Sequence, residues 1–391
     1  MVIAIKKFVR NLSLGGLVLL LAASCLDNKQ NDGSGYLTQV LSSQEPAIKT
    51  VMDQPQEYEL HVQLLLPSDS TLIREDLTTS SVVDYSQGQY FYPASTVKLP
   101  VAVIAAEWTE YQDHIGMDTP YRIDKDTSSY TLAQDIIDIF SVSDNQAFNR
   151  LYDLLGRDYV NQRMEALNVG TFRLAHRLSV SDAANATHPK YFFETMDGIK
   201  TVQASPDRPL DSIHVLGTKK GLGYMDNDSL VRAPMNFSRK NYFPLATMMQ
   251  FMNTLFPFEC DGFDRPLYWS KNTERYVTKL MSTVPREQGY NEVDYPDGYV
   301  KFFFLGDSNK RIDPALNIYN KVGYAYGTLT DIAYIVDSKH KLHYILGATL
   351  LVNENGVFND NLYEYDSIGL PFLGALSRNL HQLLINAKTR R

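Results

Sequence analysis

Ser95-Thr96-Val97-Lys98 places a hydroxyl and an amine three residues apart, on one face of a helical turn. Serine is a poor nucleophile until a base removes its proton, and a lysine held unprotonated can do so. Backbone amides at the start of the same helix would favour an oxyanion developing beside Ser95. Two further triplets lie downstream, Ser143-Asp144-Asn145 and Lys321-Val322-Gly323. Taken alone, the first reads as a helix cap and the second carries no signal. The eight histidines show no metal-like spacing, and neither of the two cysteines, Cys25 and Cys260, sits in a ligand cluster. No metal and no other cofactor is therefore expected.

Hydrophobic spacing outlines the elements that carry these residues. Glu59 to Leu66 ends at Pro67 and reads as a strand, and Ser81 to Tyr85 as a second. From Ser95 to about Glu110, the residues Val97, Val101, Ile104, Ala105 and Trp108 recur at helical spacing. Thr131-Leu132-Ala133-Gln134 has the form of a capping box and opens a further helix. Asp144 caps the next one, which Gly156 ends. Phe243 to Phe256 and Ser270 to Val284 are helical in pattern. Thr328 to Ile335 and Leu342 to Val352 are β-rich runs joined across Asp337-Ser338-Lys339-His340, an antiparallel hairpin. An amphipathic helix from about Asp366 closes the chain. Strands near both ends with helices between give an α/β fold. One antiparallel sheet, built from both termini and flanked by helices, would carry an inserted, mostly helical subdomain.

In this order, the three motifs resemble the S-x-x-K, S-D-N and K-T-G set of class A β-lactamases and penicillin-binding proteins. The flanks strengthen the resemblance. Ser143-Asp144-Asn145-Gln146-Ala147-Phe148-Asn149-Arg150-Leu151 looks like the helix that follows the second motif in class A enzymes. Lys321-Val322-Gly323 with Tyr326-Gly327-Thr328 and Asp331-Ile332-Ala333 resembles the run through the third motif into the next strand. The resemblance implies roles. Ser95 would be the acylated nucleophile and Lys98 its activating partner, while Ser143 would relay a proton to the leaving nitrogen. Asn145 would hold the substrate's amide side chain. Lys321 would attract the substrate carboxylate and polarise Ser143. Gly323 and Tyr324 would face the substrate, with the amides of Ser95 and Tyr324 forming the oxyanion hole. The implied substrate is a β-lactam or a D-Ala-D-Ala-like amide. A peptidoglycan D,D-peptidase and a non-hydrolytic cell-wall-binding lipoprotein are the alternative readings.

The chain departs from the family at three places. Class A enzymes carry a deacylating glutamate on the loop after the second motif, yet none lies between Arg173 and Asn185. Asp182 is the nearest carboxylate and Glu194 the next glutamate; His176 reads as a packing residue. Val322 stands where the family has threonine or serine, so one hydrogen bond to the substrate carboxylate is missing. The third departure is the stretch 189–236, which reads as an inserted set of hairpins.

Lys6, Lys7 and Arg10 precede a leucine-rich run from Leu12 to Ala23, shorter than the about 20 apolar residues that span a bilayer. A basic start, a short apolar stretch and small residues at its end describe a secretory signal. Leu21-Ala22-Ala23-Ser24-Cys25 resembles a bacterial lipobox, which implies cleavage before Cys25 and a lipid on its thiol. The domain expectation is a signal peptide at 1–24, a flexible tether at 25–54 and the hydrolase domain at 55–391. The mature protein would be a monomer, anchored by lipid to a bacterial membrane and facing the periplasm or outer membrane. With 37 basic against 45 acidic residues, the net charge of −8 supplies no basic stripe for nucleic acid.

Overall fold

A computed structural model of the chain describes residues 34–67, 79–258 and 267–389. The expected signal peptide, the lipidation residue Cys25 and Cys260 lie outside the described residues. Five strands form one antiparallel sheet in the order Leu316–Ala325, Thr328–Asp337, Leu342–Leu351, His61–Leu66 and Thr79–Asp84. Side chains alternate across it, as a pleated strand requires. Val62, Leu64, Ile318, Ala333, Tyr344 and Leu346 face a core closed by Phe372, Leu373, Leu376, Leu380 and Leu384 of the C-terminal helix Leu370–Thr389. Ile332 and Ile345 face the opposite way, into the core of the helical subdomain. Among the described residues, no helix is long and apolar enough to cross a membrane.

At the centre of that subdomain runs the helix Lys98–Thr109, in which every residue but Trp108 is buried. It has no polar face, so Lys98 at its start has no route to solvent along the helix. Thr131 accepts a hydrogen bond from the amide of Gln134 and starts Leu132–Ser141. Asp144 accepts from the amide of Ala147 at 2.7 Å and starts Asn145–Leu155. Gly156 ends that helix at a φ of +77°. Ser270 caps Lys271–Ser282 in the same way.

Two expectations need correction. The tether expected over 25–54 is packed structure from Ser34 onward, as the helices Ser34–Leu41 and Pro46–Met52. Leu37, Val40, Leu41, Ile48 and Val51 are buried in the same core as the C-terminal helix. Both helices are too short to be stable alone, so their dilute polar pattern concealed an order that comes from tertiary burial. The third motif, read from sequence as the start of the hairpin region, does not begin its strand either. Lys321 lies inside the ten-residue strand Leu316–Ala325, whose first half is interrupted by Asn317 and Asn320 and lacks clean alternation.

Within 189–236, the hairpin Tyr191–Thr195 and Gly198–Val202 extends the strand Tyr121–Ile123. A second hairpin, Gly223–Asp226 and Ser229–Val231, is joined in parallel by Val357–Phe358.

Candidate active site

Ser95 sits in a tight turn of 3-10 helix, Ala94–Val97, that leads straight into the helix starting at Lys98. The Thr96 hydroxyl donates to the carbonyl of Pro93 at 2.6 Å and closes the turn. Ala94 holds a φ of +47°, a left-handed conformation that costs a residue with a Cβ of order 1 kcal/mol or more. Against this turn runs the strand of the third motif. A Cβ on Gly323 would lie 2.8 Å from the Pro93 carbonyl oxygen and 2.9 Å from the amide nitrogens of Ser95 and Thr96. Only glycine lets the two backbones approach this closely.

Ser143, also at positive φ, brings the three motifs together. Its Oγ accepts from Lys321 Nζ at 2.8 Å and lies 3.3 Å from Lys98 Nζ. Lys98 Nζ also donates to the Ser143 carbonyl and to Asn145 Oδ1 at 2.7 Å, and Lys321 Nζ donates to the Val322 carbonyl at 3.0 Å. The second motif is therefore both a helix cap, through Asp144, and a junction between two buried amines. Burial pushes the Lys98 ammonium down to about 7, against a smaller opposing pull from Asp144. Burial also pushes Lys321 well below the usual lysine range, and the charge on Lys98 pushes it further. Their mutual repulsion disfavours two protonated amines around one hydroxyl.

Ser95, Asn145 and Tyr324 line one cleft of about 430 Å³. Its walls are aromatic: Tyr92 meets Tyr326 edge-on with ring centres 5.1 Å apart, and Tyr324 meets Tyr365 at 5.2 Å. Lys98 and Lys321 lie behind this surface, 0% and 2% exposed. Behind Lys321 is a further buried network. Lys301 Nζ donates to Asn320 Oδ1 at 2.6 Å, and Asn320 Nδ2 donates to Asp331 Oδ1 at 2.8 Å. Asp331 pairs across the sheet with Val322, and burial raises its carboxyl above the ordinary range.

The Beta-lactamase2 model, described as the β-lactamase enzyme family, matches residues 67–212. A solved β-lactamase from Sphaerobacter thermophilus is 15% identical with a TM-score of 0.50, covering 90% of this chain and 97% of its own. PBP-A is 14% identical with a TM-score of 0.50, covering 90% and 96%. A PBP-A variant solved as an acyl-enzyme with penicillin G is 13% identical at the same TM-score, covering 89% and 96%. No curated protein matches the chain.

The chain has the class A β-lactamase-like fold.

Within this class A-like fold, the loop after the second motif forms part of the cleft wall. Asn149 clamps it from both sides: its Nδ2 donates to the Leu178 carbonyl and its Oδ1 accepts from the Leu178 amide, each at 2.9 Å. Leu178 and Ser179 thereby line the cleft, and Ser179 Oγ accepts from Asn145 Nδ2 at 2.9 Å. Arg177 turns away to Asp153. Neither candidate carboxylate reaches the cleft: Asp182 is exposed on a turn, and Glu194 pairs with Arg122 at 3.1 Å on the hairpin. Among the described residues that line the cleft, none is aspartate or glutamate. His176 stacks on Tyr92 and is held neutral by burial, which lowers it to about 4. Val322 is a core residue, 2% exposed, and adds no polar group to the cleft.

The sequence reading brought Ser95, Lys98, Ser143, Asn145, Lys321, Gly323 and Tyr324 forward, and the fold gathers all seven. It missed the tyrosine walls, the Asn149 clamp and the network at Lys301, Asn320 and Asp331. Asn149 lay four residues after Asn145, one helical turn on, which is the one signal that could have marked it.

Proposed function

We propose that the chain is a serine acyl-transfer enzyme that opens a β-lactam or a D-Ala-D-Ala-like amide through an acyl-enzyme on Ser95. The observation that carries this reading is the Ser143 hydroxyl between the two buried amines of Lys98 and Lys321. A neutral Lys98 takes the Ser95 proton as Oγ attacks the carbonyl carbon. The amides of Ser95 and Tyr324 receive the oxyanion. Ser143 gives its proton to the departing nitrogen and is reprotonated by the lysine pair. A substrate carboxylate near Lys321 would hold the remaining proton there. Water then completes the reaction by hydrolysing the Ser95 ester.

Leu178 favours slow completion of that last step. With no carboxylate of the loop reaching the cleft to activate water, the ester would outlive its formation, which suits a penicillin-binding D,D-peptidase better than a fast β-lactamase. Lipid anchoring through Cys25 and an extracytoplasmic site belong to the same proposal, since peptidoglycan lies there. The test is intact mass against time with penicillin G. A persistent adduct, lost in Ser95→Ala, is the expected result. Neither adduct nor turnover would remove the acyl-transfer reading for this substrate class.

A further inference from the structure

The fold assembles a second cluster that is separate from the Ser95 cleft. At the far end of the hairpin, Asp337 Oδ2 lies 2.6 Å from His340 Nδ1 and 2.9 Å from His381 Nε2. Asp337 ends one strand, His340 sits in the turn, and His381 comes from the C-terminal helix. Local spacing hides the group because forty residues separate the two histidines. Asp337 is five residues along its strand from Ile332, the partner of Lys321, or about 17 Å.

We infer that Asp337, His340 and His381 form a binding site for a divalent transition cation of the zinc type. Two imidazoles and one carboxylate are a donor set that such ions favour, and the three ligand atoms all lie within 4.8 Å of one another. Among the described residues no other group of histidine, cysteine and acidic side chains converges in this way. The outer contacts are those a metal site needs. Tyr344 OH lies 3.1 Å from His381 Nδ1, so the proton on that nitrogen has an acceptor and Nε2 is free to ligate. The backbone amide of His340 donates to Asp337 Oδ1 at 2.9 Å and leaves Oδ2 for the ion.

Ligand atoms around tetrahedral zinc at ~2.0–2.2 Å stand about 3.3 Å apart, so the 2.6 and 2.9 Å separations from Oδ2 must open, the shorter by under about 1 Å. His340 is about one-third exposed and gives the ion an entry path, with a water completing the coordination. Lys339 and Lys341 flank the turn, so uptake rests on the imidazoles and not on the surrounding field. A bound ion would tie the hairpin turn to the C-terminal helix.

The experiment uses the full chain, freed of metal by chelation and titrated with Co2+. Expected are one ion per chain, the intense d–d absorption of a low-coordinate site, its displacement by Zn2+ and a raised unfolding temperature. His340→Gln, at an exposed turn, should fold as the parent does and bind about tenfold or more weakly; His381→Gln should behave alike. The inference is overturned if the parent takes up no Co2+, or if both variants bind it as tightly as the parent.

Discussion

Replacing Leu178 by glutamate should turn a long-lived acyl-enzyme into one that clears. The backbone at this position is already fixed by the two hydrogen bonds from Asn149, so the new side chain would leave from a defined point on the cleft wall. Leu178 is only 8% exposed, and a carboxylate there would be partly desolvated, which raises its pKa towards the range of a useful general base. Such a base speeds water attack by ~10²–10⁴-fold, equivalent to ~3–5 kcal/mol of barrier. The cost is lost apolar burial, about 1.5–3 kcal/mol of stability, which a domain of ordinary stability survives. The assay is the decay of the penicillin G adduct by intact mass, beside steady-state hydrolysis. Leu178→Gln, equal in shape but unable to act as a base, should decay as slowly as the parent. An adduct lifetime in Leu178→Glu equal to that of Leu178→Gln, with both proteins folded, would refute the reasoning that a carboxylate at this point of the cleft wall can activate water.

Three other outcomes follow from the same geometry. Acylation should accelerate as pH rises through about 7, where buried Lys98 loses its proton, and a flat profile from pH 5 to 9 would contradict its role as base. Because the folded state holds this lysine below its ordinary pKa, Lys98 costs stability that is regained only as pH rises towards the unfolded value. Lys98→Met should therefore abolish the adduct while raising stability at pH 7 by about 1–3 kcal/mol, measured by urea unfolding. Gly323→Ala should cut the acylation rate by ~10²-fold or more, because its Cβ would push the strand off the amide of Ser95; unchanged kinetics would show that the contact does not hold the site. Deleting residues 34–54 should lower the unfolding temperature, since it uncovers apolar surface shared with the C-terminal helix; an unaltered melt would mean that these helices add nothing.

The three motifs were legible because the acyl transfer proposed for them restricts residue type at each position, and type is what a sequence displays directly. The caps at Thr131 and Asp144 were legible for a related reason: each works within three residues of itself. What could not be read was set by distance along the chain. Leu178 reads as an ordinary loop leucine until Asn149, on another element, pins it to the cleft wall. Lys301 and Asp331 are thirty residues apart and meet only through Asn320. The helices before Pro55 are ordered by contact with the last twenty residues of the fold.

The order of strands in the sheet also sets a clock. His61–Leu66 needs Leu342–Leu351 as its second neighbour, and residues 67–341 must be made before that neighbour exists. At ~5–20 residues per second, roughly 15–60 s of synthesis separate the two halves of one ladder. Ser95 and Ser143 emerge early, but Lys321 reaches them only when the last strands close. Throughout that interval the chain has no finished sheet, and the residues of the cleft stand on separate stretches of chain.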